Sequence, residues 1–213
     1  MMGSGVRKEN GSMVDAAEQL WSEVTVPKTT TTIYEALYGR RSIWTFEDKP
    51  IPRDAVERML ATSVWAPNHK HTEPWRFFVS TKGSAHRTTL AKWAHEAILL
   101  RDATATTMAM RQEEWVQAQP LMIFAYAVPG IDEAITRENY AAVVCALHNV
   151  SLAGVAEGLA VTWETGGIAK LAGLAEAVGG DNDWQLVAMA SVGFPDEVSP
   201  SSRTPVSEFV SWD

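Results

Sequence analysis

Only one cysteine, Cys145, occurs in the 213 residues, so no disulfide can form within the chain and its stability must come from a packed core. No uninterrupted apolar run approaches the ~20 residues of a membrane span. The N-terminus also lacks the basic-then-apolar layout of a secretory signal, so the expected location is cytoplasmic, with no membrane partner. Positive charge is scarce. Eighteen Lys and Arg against 26 Asp and Glu leave a formal net charge of −8, which argues against nonspecific nucleic-acid binding. The one early glycine cluster, Gly3-Ser4-Gly5, is not a dinucleotide fingerprint: no strand precedes it and no full Gly-x-Gly-x-x-Gly follows.

What is present fits one domain with a substantial core: 46% hydrophobic and 21% charged residues. Residues 1–32 mix Gly, Ser, Lys and a threonine run and are expected to form a flexible N-terminal arm, with a short amphipathic helix over 14–24. The folded domain is expected over 33–213. Nine tryptophans are many for this length, and their flat faces suit core packing, an aromatic pocket or an oligomer interface.

The periodicity gives the elements in order. Thr32 and Glu35 can form a capping box ahead of Ile33, Ala36 and Leu37. A helix over 52–64 has Val56, Met59, Leu60 and Val64 on one face. Strands are expected over 76–80, 121–128, 159–162 and 184–192, and helices over 84–100 and 102–118. The helix over 137–157 is apolar nearly all round, which places it centrally or in a dimer interface. His148 within it is expected to be a core residue, and Cys145 an inert thiol. His86 and His95 are expected at the surface.

Three stretches carry chemistry. Arg40-Arg41-Ser42 follows a helix and Gly39. Two planar charged forks beside a hydroxyl suit a phosphate, although a basic turn at a helix C-terminus would read the same way. The stretch Trp65-Ala-Pro-Asn-His-Lys-His-Thr-Glu-Pro-Trp75 is longer than an ordinary helix-to-strand connection and stiffened by Pro67 and Pro74. In an extended loop His69, His71 and Glu73 would share a side, but nothing completes a metal site, and none is expected. Trp163-Glu164-Thr165-Gly166-Gly167 turns sharply, with glycines that let backbone approach a ligand.

Taken together, Arg40-Arg41-Ser42-x-x-x-Phe46, Ala66-Pro67-Asn68-His69-Lys70 with Glu73-Pro74-Trp75-Arg76-Phe77-Phe78, and Gly158-Leu-Ala-Val-Thr-Trp-Glu-Thr-Gly166 resemble the nitroreductase family of flavin enzymes, in the small single-domain NAD(P)H type. The resemblance implies an α+β fold, a central and mostly antiparallel sheet surrounded by helices, and a homodimer whose flavin sites are shared between chains. It implies FMN, with Arg40 and Ser42 at the phosphate and Arg41 nearer the ribityl chain or ring. Trp65, Asn68 and His69 would border the cofactor, as would Trp163, Glu164, Thr165 and Gly166, with Arg203 of the tail against the phosphate. Two departures stand out: Trp44 where relatives often have a second basic residue, and Trp65 where close relatives can have Arg. Met108, Met110 and Trp115 would be candidates to cover the flavin face. The implied activity is ping-pong hydride transfer from NAD(P)H through FMN to a nitroaromatic, quinone or similar acceptor, with no side chain singled out as acid or base. Flavin destruction, dehalogenation or dehydrogenation on the same scaffold, and a non-catalytic flavin-binding protein, are the alternatives.

Overall fold

The computed structural model describes residues 29–198 and 200–213. The arm expected over 1–32, with its helix over 14–24, lies outside the described residues up to residue 28. Among the described residues the first element is α1 (Ile33–Gly39), where the capping box forms: Glu35 N donates to Thr32 Oγ1 (3.2 Å) and Thr32 N to Glu35 Oε2 (2.6 Å). α2 (Arg53–Ala61) buries Ala55, Val56 and Met59. β1 (Trp75–Thr81), α3 (Ala85–Arg101), α4 (Thr106–Ala118), β2 (Leu121–Ala127), α5 (Glu133–Ala156), β3 (Ala160–Glu164), the short α6 (Leu174–Ala177) and β4 (Gln185–Gly193) complete the domain.

The four strands form one sheet in the order β1-β2-β4-β3, every neighbour antiparallel. Side-chain alternation gives the sheet two distinct faces. Trp75, Phe77, Val79, Ile123, Ala125, Val161, Trp163, Ala190 and Val192 meet α5. Phe78, Met122, Phe124, Tyr126 and Met189 meet α3, α4 and Ile168. β2 is buried along its whole length because both faces are covered.

α5 begins four residues before the expected Arg137, because Asp132 caps it: Ile135 N donates to Asp132 Oδ1 at 2.8 Å. α4 begins later than the expected Asp102. The Asp102 carboxylate accepts from Thr104 N (2.9 Å) and Thr104 Oγ1 (2.6 Å), folding residues 102–105 into a turn. α5 has an 18-residue window of mean hydropathy 1.3, enough by composition for a membrane span, yet its apolar character serves the core. Ala142, Val143, Ala146, Leu147, Val150 and Gly154 are buried, whereas Ala141, Cys145 and His148 are exposed. One flank of α5 takes the central position that was one of its two expected places, while the exposed His148 is not the core residue expected.

Gly154 and Gly158 set where α5 ends. A Cβ at Gly154 would lie 2.8 Å from Val161 Cγ2, so only glycine lets the helix come this close to β3. Gly158 has φ +74°, and around it Leu159 N donates to Gly154 O (2.7 Å) and Gly158 N to Val155 O (3.1 Å), which satisfies the last carbonyls and turns the chain into β3. Arg58 of α2 clamps the same end, its Nε and Nη2 donating to Glu157 at 2.7 and 2.8 Å.

Candidate functional site

The segment after α1 runs along the free edge of β3. Its anchor is the buried Thr162 hydroxyl, which accepts from Ile43 N (2.8 Å) and donates to Ile43 O. Thr162 thereby does what a backbone bridge would do, fixing Arg40, Arg41 and Trp44 against the sheet. Phe46 then bridges to Pro195, and Glu47 N donates to Phe194 O at 3.0 Å.

Two grooves flank this anchor. The smaller, about 160 Å³, is lined by Arg40, Arg41, Ile43, Gly158, Val161 and Pro195, among others. Arg41 Nη1 donates to Tyr38 O (2.6 Å) and Arg40 O (3.0 Å), so its guanidinium closes the end of α1. Its Nε is buried without a partner among the described residues. An unsatisfied cationic donor beside a second arginine is chemistry for an anionic oxygen. Ser42 is exposed next to them. The larger groove, about 470 Å³, is lined by Trp44, Gln112, Trp115, Trp163, Glu164, Thr165, Gly166, Gly167 and Met189. Its size falls in the ~300–1,000 Å³ range of small-molecule sites, and its aromatic residues suit a flat ring. Thr165 and Gly166 are exposed, so their backbone is open to a ligand.

Glu164 is buried in this second groove. Burial pushes its carboxyl above the ordinary range, opposed by the hydrogen bond that Ser191 Oγ donates to Oε1 at 2.6 Å. Ser191, Gln112 and the anchoring role of Thr162 were not legible in the sequence. A single polar residue inside the apolar run of β4 was the one available hint.

The loop after α2 is curled, which corrects the extended reading. One-turn helices form over Ser63–Trp65 and His69–His71, and Lys70, His71 and Glu73 have φ of 52°, 52° and 44°. His69, His71 and Glu73 consequently do not share a side, and no trio of metal-ligating side chains is gathered among the described residues. The polar groups of the loop are spent on its own shape and on α5. Glu73 N donates to Asn68 Oδ1 (3.1 Å), Thr72 Oγ1 donates to Asn139 Oδ1 (2.9 Å), and His69 Nδ1 lies 2.5 Å from Glu138 Oε2. Asn68 and His69 line neither groove in the same chain, and Trp65 is exposed.

Arg203 lies in an exposed tail, where Nη1 donates to Ser201 Oγ and to Ser202 O (2.8 Å); it lines neither groove. Of the proposed flavin cover, Trp115 lines the larger groove, while Met108 and Met110 are exposed outside it. His86 is exposed, as expected. His95 is half-buried rather than superficial, its Nδ1 2.8 Å from Glu113 Oε2.

The chain is similar to known proteins over most of its length. YfhC of Bacillus subtilis, provisionally named an NAD(P)H nitroreductase, is 23% identical over 179 residues, 84% of this chain and 92% of its own length. The 5,6-dimethylbenzimidazole synthase of Rhodospirillum rubrum is 25% identical over 81% of this chain and 85% of its own. A solved nitroreductase-like protein from Bacillus cereus superposes with a TM-score of 0.78, at 25% identity, over 88% of this chain and 99% of that one. The fold is also that of an FMN complex from Desulfovibrio desulfuricans, provisionally named a nitroreductase (TM-score 0.67, 24% identity, 89% and 98% covered). The profile of the nitroreductase family matches residues 37–194, and the chain belongs to that family.

Proposed function

We propose that the protein is an FMN-dependent oxidoreductase that takes hydride from NAD(P)H and passes it, in a ping-pong cycle, to a nitroaromatic, quinone or similar flat acceptor. The observation that carries this reading is the pairing of the two grooves across the Thr162 anchor. An arginine pair with an orphaned Arg41 Nε lines one, and Trp44, Trp115 and Trp163 line the other. The first suits a phosphate and the second a planar ring, so the residues present fit FMN.

FMN, when bound, supplies the hydride chemistry. The chain's part is to bind and orient it. Arg40 and Ser42 would hold the phosphate, Arg41 would lie nearer the ribityl chain or ring, and the Thr165–Gly166 backbone would meet the ring's polar edge. Asn68, His69 and Trp65 line neither groove of their own chain, so we assign them to the site of a second copy, in a homodimer with shared flavin sites. Arg203 joins the phosphate in the same assembly.

The test is a visible spectrum of protein loaded with FMN and freed of excess, repeated anaerobically with NADH and NADPH. Retained flavin that bleaches with either donor, and recovers on addition of a nitroaromatic or quinone, is the expected result. Folded protein that retains no flavin would falsify the reading. The double variant Arg40→Ala/Ser42→Ala should lose FMN about tenfold more readily while keeping its unfolding midpoint, because two phosphate contacts are removed from an exposed segment. The similarity to a 5,6-dimethylbenzimidazole synthase favours a second reading, flavin destruction. Its mark would be flavin that, once reduced, is consumed in air instead of returning to its oxidised spectrum.

A further inference from the structure

We propose that Glu164 is the proton donor of this site: a carboxylic acid set into the aromatic groove and held by Ser191, which supplies the proton that accompanies hydride transfer to the acceptor. The proposal rests on the flavin reading above and adds to it an acid role for a residue the sequence placed only at the cofactor's border.

Glu164 is the last residue of β3, on a sheet edge. Val161 and Trp163 pack toward α5, so alternation turns Thr162 and Glu164 toward α4. The residue is only 9% exposed, yet it lines the groove together with Trp44, Gln112 and Trp115. Ser191 Oγ donates to Oε1 at 2.6 Å, and no other hydrogen bond reaches the carboxyl among the described residues.

The surroundings decide its charge. Every other residue lining the groove is neutral. On α4, Arg111, Glu113 and Glu114 flank Gln112 but lie outside the lining, with Glu113 set 2.8 Å from His95 Nδ1. The one-turn helix Gly167–Lys170 contributes Lys170, which is exposed and also outside the lining. With no cation lining the groove and the side chain buried, desolvation raises the carboxyl above the ordinary carboxylate range, while the single hydrogen bond from Ser191 acts the other way. A purely structural role at this position would be met by a glutamine, which can accept the same bond without an ionisable group.

The chemistry balances. Hydride from the reduced flavin forms one new bond to the acceptor, and an acceptor electron pair moves onto oxygen. That oxygen takes the proton of Glu164, whose bonding pair stays on the carboxylate. The products are the acceptor reduced by two electrons and ionised Glu164, which water at the groove mouth reprotonates.

Two measurements on the full chain test this. Infrared difference spectra of flavin-free protein, wild type minus Glu164→Gln, should show a carboxylic C=O band that survives to higher pH than the exposed carboxylates. In Ser191→Ala it should survive higher still, because the bond favouring the ionised form is gone. In FMN-loaded protein, Glu164→Gln should slow reoxidation by benzoquinone about tenfold or more relative to reduction by the nicotinamide donor. It should also abolish the fall of the reoxidation rate with rising pH. A band that vanishes with the exposed carboxylates, or reoxidation at the wild-type rate with the wild-type pH profile, overturns the proposal. Wild-type protein that retains no FMN overturns the flavin reading itself, a distinct failure that removes the donor role with it.

Discussion

The two faces of the sheet are built to different rules. Toward α5, the strands present apolar side chains from Trp75 to Val192, and these interlock with Ala142, Val143, Ala146, Leu147 and Val150. Toward α3 and α4, the strands mix Phe78, Met122, Phe124 and Met189 with Ser80, Tyr126, Thr162, Glu164 and Ser191. On that second face nearly every polar group is tied to a partner from another segment: Ser80 to Arg87, Thr162 to Ile43, Ser191 to Glu164. The Tyr126 hydroxyl, buried with no partner among the described residues, is the exception. The apolar face can supply stability through area alone, without directional requirements. The polar face costs desolvation at each group and is worth keeping where position and charge matter, which is where the grooves open.

The largest effect that would sharpen this contrast lies at Arg87, 1% exposed and without a carboxylate partner. Its Nε donates to Ser80 Oγ (2.8 Å), its Nη1 to Val116 O (2.9 Å) and Gln119 O (2.7 Å), and its Nη2 to Ser80 O, which pins α3 and the end of α4 to β1. Burial lowers its pKa to about 10, so it remains charged at neutral pH. Arg87→Ala would strand four buried acceptors and leave a cavity, and should cost about 3–5 kcal/mol in urea unfolding. A loss below ~1 kcal/mol would mean that the polar face does not depend on its bonds.

On the apolar face, Leu147→Ala should cost about 3 kcal/mol by cavity formation. Its FMN affinity, once the variant is folded, should stay near that of wild type, because Leu147 lines neither groove. Equal loss of flavin binding from both faces would dissolve the division of labour.

A smaller effect separates the faces by pH. The folded carboxyl of Glu164 is raised, so the folded state binds this proton more tightly than the unfolded chain. Its contribution is intact below the unfolded carboxyl's pKa and is lost as pH rises through the folded one. Glu164→Gln should therefore gain stability relative to wild type as pH rises through and above the ordinary carboxylate range, read as a widening difference in urea midpoints. A constant difference would show that the carboxyl titrates alike folded and unfolded. The smallest effect is expected at Cys145→Ser. The thiol is exposed on the outer flank of α5, and flavin reduction should stay within about twofold of wild type.

Much of the architecture could be read residue by residue because its causes are local. The Thr32–Glu35 box, the apolar runs of β2 and β4, and the stop at Gly158 each depend on a few neighbouring residues, and each formed. Errors appeared where a local pattern had a second solution. Alternating polar residues over 69–73 suggested an extended loop, but Asn68 Oδ1 captured Glu73 N and curled it. An apolar neighbourhood suggested a core position for His148, but composition does not say which flank of α5 meets the sheet, and His148 falls on the exposed one. Of nine tryptophans, Trp75 alone is buried among the described residues, while Trp44, Trp115 and Trp163 gather at one groove from three separate segments.

By itself, then, the sequence determined the elements, the family motifs and the arginine pair at the end of α1, since each is written in residues within a few positions of one another. Only the tertiary structure decided that Thr162 would moor that pair to a sheet edge, 119 residues away from Ile43, and that Ser191 would meet Glu164 across 27 residues. Those contacts depend on strand order and register. No short window of sequence encodes them, and they are what turn a polar turn into a groove with a buried carboxyl.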